Sequence, residues 1–82
     1  MENIFLKNTL GFLNDYADVD SSAHADSQLI ADLGFNSLTL LEMVNDAEDK
    51  FGITIEDDEL PAIVTVGDVV DLLKRKNVVF SE

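Results

Sequence analysis

Residues 36–52, NSLTLLEMVNDAEDKFG, carry both ends of a helix and its buried face. Asn36 offers a side-chain acceptor just before a run with helical period, so it can cap the N–H groups that a helix start leaves without partners. Gly52 is the residue type on which a helix most readily ends. The spacing predicts a helix over 37–51. At about 100° per residue, Leu40, Val44, Ala47 and Phe51 fall within one arc of about 60°, the expected core face. Leu38 comes out roughly 160° from Leu40, among Glu42, Asn45 and Asp49, while Leu41 lies on the flank near Ser37. Leu38 should be exposed, and an apolar patch at a helix start, rimmed by Glu42, Asp46, Glu48 and Asp49, suits a docking surface for a basic partner.

On the N-terminal side, residues 4–16 (IFLKNTLGFLNDY) and Ala17 place Leu6, Leu10, Leu13 and Ala17 at steps of four, three and four, with Phe5, Phe12 and Tyr16 alongside. This predicts a second amphipathic helix. Gly11 within it costs roughly 1 kcal/mol relative to Ala, which is tolerable where a neighbouring backbone must come close. Residues 18–35 show no sustained period and only one apolar cluster, Leu29, Ile30 and Leu33. A connection of that length points to a functional or locally structured loop.

Beyond Gly52, Ile53 and Ile55 alternate as in a strand, and residues 57–60 can form one helical turn limited by Pro61. Thr65 and Asp68 have the spacing of a capping box, and Val66, Val69, Val70 and Leu73 then share a helical face. Lys74, Arg75 and Lys76 suit the negative end of that helix. Residues 77–82 are expected to form a tail or a strip packed back on the body. The expectation is a single all-α domain over residues 1–82.

Composition narrows the function. The chain has 82 residues, 46% of them hydrophobic, with 17 acids against 5 bases and a net charge of -12. That is room for one small core, and too apolar for an acidic disordered tail. Without cysteine, the fold rests on packing and no thiolate metal site exists. The charge repels a nucleic-acid backbone, and no run is long enough for a membrane span. Met1-Glu-Asn does not resemble a secretory signal, so the cytoplasm is the expected compartment, or an organelle matrix if a transit peptide was removed. Between Lys7 and Lys50 there is no Lys or Arg but nine acids: Asp15, Asp18, Asp20, Asp26, Asp32, Glu42, Asp46, Glu48 and Asp49. A solvated face normally mixes signs, so this one-signed stretch favours basic protein partners.

Two other function classes compete. Asp18, Asp20 and Asp26, with Glu56-Asp57-Asp58-Glu59, suggest an acidic adaptor with weak divalent-cation binding. As an EF-hand starting at Asp18 the loop fails, because Ala23 stands where Gly is needed and Leu29 where the bidentate Glu belongs. An enzyme has little to build on: one His, no Cys and no nucleophile with an evident base. His24 is assigned to solvent, and no metal ligands are expected.

The segment DLGFNSLTLLEMVNDAEDKFGITI (residues 32–55), continued by EDDELPAIVTVGDVVDLL, closely resembles the D-L-G-x-D-S-L segment and following helix of acyl carrier proteins. Asp32-Leu33-Gly34, Ser37-Leu38, Glu42, Phe51 and Thr65-Val66 carry the resemblance, which extends more loosely to the first helix. It implies a small bundle of three main helices plus one short helix. It also implies that Ser37 receives 4′-phosphopantetheine from coenzyme A through a phosphopantetheinyl transferase, and that the arm's thiol holds acyl groups as thioesters. The chain would then be a non-catalytic, monomeric carrier. Asn36, Leu38, Leu41, Glu42, Asp46, Glu48 and Asp49 would meet acyl-loading and acyl-processing enzymes with basic docking patches. Ile55, Leu60 and Ile63 would shelter the acyl chain. Fatty-acid synthesis is the default pathway, with polyketide, peptide-type or lipid-tailoring pathways as alternatives. The family has Asp where this chain has Asn36, and Thr39 stands where many members carry another acid, which puts partner recognition rather than the fold in question.

Overall fold

The computed structural model describes residues 2–17 and 23–78. Three α-helices, α1 (Glu2–Leu13), α2 (Ser37–Phe51) and α3 (Val66–Arg75), are joined by a 3-10 helix, Asp57–Ala62, between α2 and α3. This is the all-α arrangement of three main helices and one short one. Asp18, Asp20 and residues 79–82, which entered the expectations above, lie outside the described residues.

α2 has the ends its sequence specifies. Asn36 is extended, its side chain accepts the Thr39 N–H, and Gly52 takes the left-handed conformation with φ of 65° while its N–H donates to the Glu48 carbonyl. Val44 and Ala47 are buried, as expected of the core arc, whereas Leu40 and Phe51 are only half-buried. Met43, on the flank of that arc, is buried in addition. Its long unbranched side chain fits an irregular gap that a branched one would not fill.

The first helix is displaced from its expected span. It starts at Glu2 and stops at Leu13, and residues 14–16 form a turn. There Asp15 N–H donates to the Phe12 carbonyl at 3.3 Å and Tyr16 N–H to the Leu13 carbonyl at 3.0 Å, so the last turn tightens to i−3 bonds. Tyr16 keeps its place by packing, edge-on to Phe12 at 5.5 Å and tilted against Phe35 at 6.4 Å.

The long connection is clamped onto the start of α3. Leu29 N–H donates to the Val64 carbonyl at 2.9 Å, Val66 N–H to the Ser27 carbonyl at 2.9 Å, and Gly67 N–H to the Ala25 carbonyl at 2.7 Å. A Cβ at Gly67 would stand 3.1 Å from that Ala25 oxygen, which is why glycine fits there. The clamp drives Leu29 and Phe35 into the core. Ile53 and Ile55 form no strand; Ile55 is buried and its N–H donates to the Glu48 carboxylate at 2.9 Å.

The turn expected at 57–60 runs on through Pro61 to Ala62. Proline's φ suits a short helical turn, and only its own N–H is missing from the ladder. Glu59 Oε2 accepts the Glu56 N–H at 2.8 Å and the Lys76 ammonium at 2.9 Å, while Arg75 stands 3.6 Å from Oε1. These contacts hold the Glu59 carboxyl below its usual range, the Glu56 N–H first and Lys76 next.

α3 begins in a capping box. Asp68 N–H donates to Thr65 Oγ1 at 3.1 Å, and Asp68 Oδ2 accepts Thr65 N–H at 2.9 Å and Val64 N–H at 3.0 Å. The Thr65 N–H is the chief reason the Asp68 carboxyl titrates below its ordinary value. Val66, Val69, Val70, Leu72 and Leu73 are buried, and α1 packs across this helix. Past α3, Asn77 adopts φ of 64° and Val78 turns back into the core, its N–H donating to the Leu73 carbonyl at 3.0 Å. The tail expected from residue 77 thus begins as a strip packed on the body.

Candidate functional site

The helix start that organises the fold also presents the site. Ser37 is the first residue of α2 and is exposed. Phe35, two residues before it, is 2% exposed and anchors the approach, while Gly34 turns the chain with φ of 80°. Asn36 Oδ1 accepts both the Thr39 N–H at 2.8 Å and the Thr39 hydroxyl at 3.0 Å. That double acceptance fixes the carboxamide, because a backbone N–H requires an oxygen opposite it. The Asn36 amide nitrogen is the part left for a partner. Sequence reasoning did not include Thr39 in this arrangement, although an N-x-x-T spacing at a helix start signals it.

No acid occupies the first turn of α2. The hydroxyl of Ser37 therefore sits at the positive end of a helix dipole, with N–H groups of the first turn available and no carboxylate there to repel a phosphate. These residues fit a phosphodiester-linked group on Ser37. His24 is exposed in the loop, where its Nδ1 accepts the Asp26 N–H at 3.2 Å.

Next to Ser37 the apolar surface expected from the wheel is present: Leu38 is 66% exposed and Leu41 is 46% exposed. Glu42, Asp46 and Asp49 are exposed along the same helix. Asp46 is tied to the turn after α1, since the Tyr16 hydroxyl donates to its Oδ2 at 2.5 Å. Burial, and then this bond, push the Tyr16 phenol above its ordinary value. Glu48, also expected on that surface, has a structural tie besides. It is half-buried and one carboxylate oxygen accepts the Ile55 N–H, so it ties α2 to the segment that follows.

Ile55 and Ile63 are buried in the core cluster and Leu60 packs against it. They are brought together in the apolar core. Among the described residues no cluster of three or more His, Asp or Glu side chains is arranged to hold a metal ion, and no helix is long and apolar enough to cross a membrane.

Comparison with known proteins places the chain as a whole. Residues 11–73 match the family described as "Phosphopantetheine attachment site". The acyl carrier protein of Thermotoga maritima is 38% identical over 76 residues, covering 92% of this chain and 93% of that protein. The acyl carrier protein of an Exiguobacterium species is 48% identical over 56 residues, covering 68% of this chain and 71% of that one. The solved structure of a putative acyl carrier protein from Mycobacterium tuberculosis superposes with a TM-score of 0.78 at 30% identity, covering 87% of this chain and 96% of that one. With a family match across most of its length and a relative aligned nearly end to end, this chain belongs to the acyl carrier protein family, as a carrier with a covalently attached 4′-phosphopantetheine.

Proposed function

We propose that Ser37 is the residue that bears the arm, that residues 1–82 form a single, monomeric carrier domain of the cytoplasm, and that its cargo belongs to fatty-acid synthesis. The observation that carries the Ser37 assignment is its exposed hydroxyl at a helix start free of acids, within the family match. When bound, the arm supplies a flexible thiol that holds acyl groups as thioesters.

This chain's own part in its loading is to present an oxygen. The Ser37 oxygen forms a bond to phosphorus as the pyrophosphate link of coenzyme A breaks and adenosine bisphosphate leaves. The serine proton goes to a base of the transferase, since the first turn of α2 holds no carboxylate to take it. Asn36 holds the helix start rigid while this happens, through its two bonds to Thr39. Acyl carrier proteins are carriers rather than catalysts, and the enzymes of acyl metabolism are their partners.

Leu38 and Leu41 form the apolar centre of the proposed docking surface and Glu42, Asp46 and Asp49 its charged rim, complementary to basic patches on those enzymes. Asn36 contributes a neutral donor beside Ser37. That neutrality is the specific observation favouring the second reading, a carrier specialised for polyketide, peptide-type or lipid-tailoring chemistry. Ile55, Leu60 and Ile63 supply the apolar interior into which an acyl chain would insert by displacing core contacts.

Incubation with coenzyme A and a broad-specificity phosphopantetheinyl transferase, followed by intact-mass measurement, tests the assignment. One phosphopantetheinyl group is expected on the native chain and none on Ser37→Ala, with helical content unchanged because the lost hydroxyl is exposed. Modification of Ser37→Ala would refute Ser37, and an unmodified native chain would favour an acidic adaptor.

A further inference from the structure

Gly11 has no packing explanation among the described residues. It lies within α1, where glycine is about 1 kcal/mol less favourable than alanine, and a close approach by a neighbouring backbone would account for it. Among the described residues no such approach exists: Gly11 is exposed and a Cβ built on it would meet nothing within 4 Å. The open space is one side of a groove of about 420 Å³ between α1 and the end of α2, lined by Lys7, Asn8, Gly11, Phe12, Asp15, Lys50 and Phe51. That volume is within the range of small-molecule sites, about 300–1,000 Å³.

Its lining joins bases to aromatic rings. Two of the five bases of a chain with net charge -12 line this groove. Phe12 and Phe51 meet edge-to-face at 5.4 Å, and the Lys50 ammonium stands 5.5 Å from the centroid of the first ring and 5.9 Å from that of the second. Lys7 lies one helical turn before Gly11 on α1, and Asp15 follows in the turn just past its end. Asp15 puts a negative charge at one end, opposite Lys7.

We propose that this groove binds a small amphiphilic carboxylate, whose apolar body lies over Gly11 against the edges of Phe12 and Phe51 and whose carboxylate meets Lys7 and Lys50. Asp15 sets the direction, because a carboxylate at its end would be repelled. The lysines select against uncharged and cationic ligands of the same shape, and the missing Cβ lets an alkyl or aryl body reach the helix backbone. The site is separate from Ser37, at the opposite end of α2, and does not depend on the arm being attached.

The test uses the unmodified full chain and octanoate as probe, with 1-octanol and octylammonium as shape-matched controls, followed by two-dimensional amide NMR. Octanoate is expected to give saturable shifts at Gly11, Phe12, Lys50 and Phe51, with neither control saturating there. Lys7→Gln and Lys50→Gln should each weaken octanoate roughly two- to fivefold, the range for an exposed ion pair. Gly11→Leu should abolish the shifts while preserving or raising helical content, since leucine is the better helix former. Octanol binding as tightly as octanoate, octanoate shifts centred on Ile55, Leu60 and Ile63, absence of saturation, or unchanged binding in Gly11→Leu would each overturn the proposal.

Discussion

Replacing Asp68 by Ala should reveal how much of the molecule hangs on the start of α3. One carboxylate oxygen accepts two backbone N–H groups, from Val64 and Thr65, at 3.0 and 2.9 Å. The same two residues face the loop: the Val64 carbonyl accepts Leu29 N–H, and Thr65 pairs with Gln28 across an isolated bridge. Hydrogen bonds to charged groups contribute about 1.5–3 kcal/mol each, but Asp68 is only partly buried and water recovers much of that for the freed N–H groups. The loss of a cap alone costs about 1 kcal/mol, so a total of about 2 kcal/mol is expected for Asp68→Ala. For a chain this short that lowers Tm by about 8–16 °C. Set against a global stability of about 4–12 kcal/mol, it is a large fraction.

The pH dependence follows from the lowered carboxyl. Asp68 titrates below its ordinary value when folded, so its contribution is complete above the unfolded pKa, about 4, and is lost as pH falls through the folded value. Glu59, also lowered, acts in the same direction. Urea unfolding of the native chain and Asp68→Ala, followed by circular dichroism at pH 7, 5 and 4, should show a gap that is constant at the two higher values and begins to close at the lowest. Thr65→Ala, which removes one bond, should cost about 1 kcal/mol. A change below about 0.5 kcal/mol at pH 7 for Asp68→Ala, the scatter of ordinary surface substitutions, would refute the reasoning. A gap indifferent to pH would refute the charge assignment.

Two further outcomes follow from the charge distribution. Asn36→Asp should raise the rate of modification by a fatty-acid-type transferase about fivefold at low ionic strength and less at high, because a carboxylate interacts with basic residues about 1 kcal/mol more strongly than an amide does. Stability should change by only a few tenths of a kcal/mol, since both residues cap; equal rates at low salt would make position 36 a cap and nothing more. Moderate salt or millimolar divalent cations should raise Tm, as screening relieves repulsion in a chain of net charge -12. A flat or falling Tm in a calorimetric salt series would mean that the acids are already compensated.

Local chemistry made α2 and the head of α3 legible in the sequence. Their caps, Asn36 with Gly52 and Thr65 with Asp68, act over three or four residues, and their buried faces follow from a fixed rotation per residue. Ser37 and the exposure of Leu38 and Leu41 came with α2, because a helix start and a helix face are properties of one element. Where contacts cross between elements, periodicity lost its hold. Tyr16 has helical spacing with Leu13 yet sits beyond the end of α1, held by Phe12, Phe35 and Asp46. Glu48 looked like one more surface acid until the chain beyond Gly52 brought the Ile55 N–H to it. The loop from Ala25 to Leu29 has no period at all, and becomes ordered only by lending its backbone to Val64, Val66 and Gly67. A capping residue and a helical stripe are written in neighbouring positions. Which acid faces solvent, and which N–H a carboxylate finds, depends on where distant backbone arrives, and only the folded chain determines that.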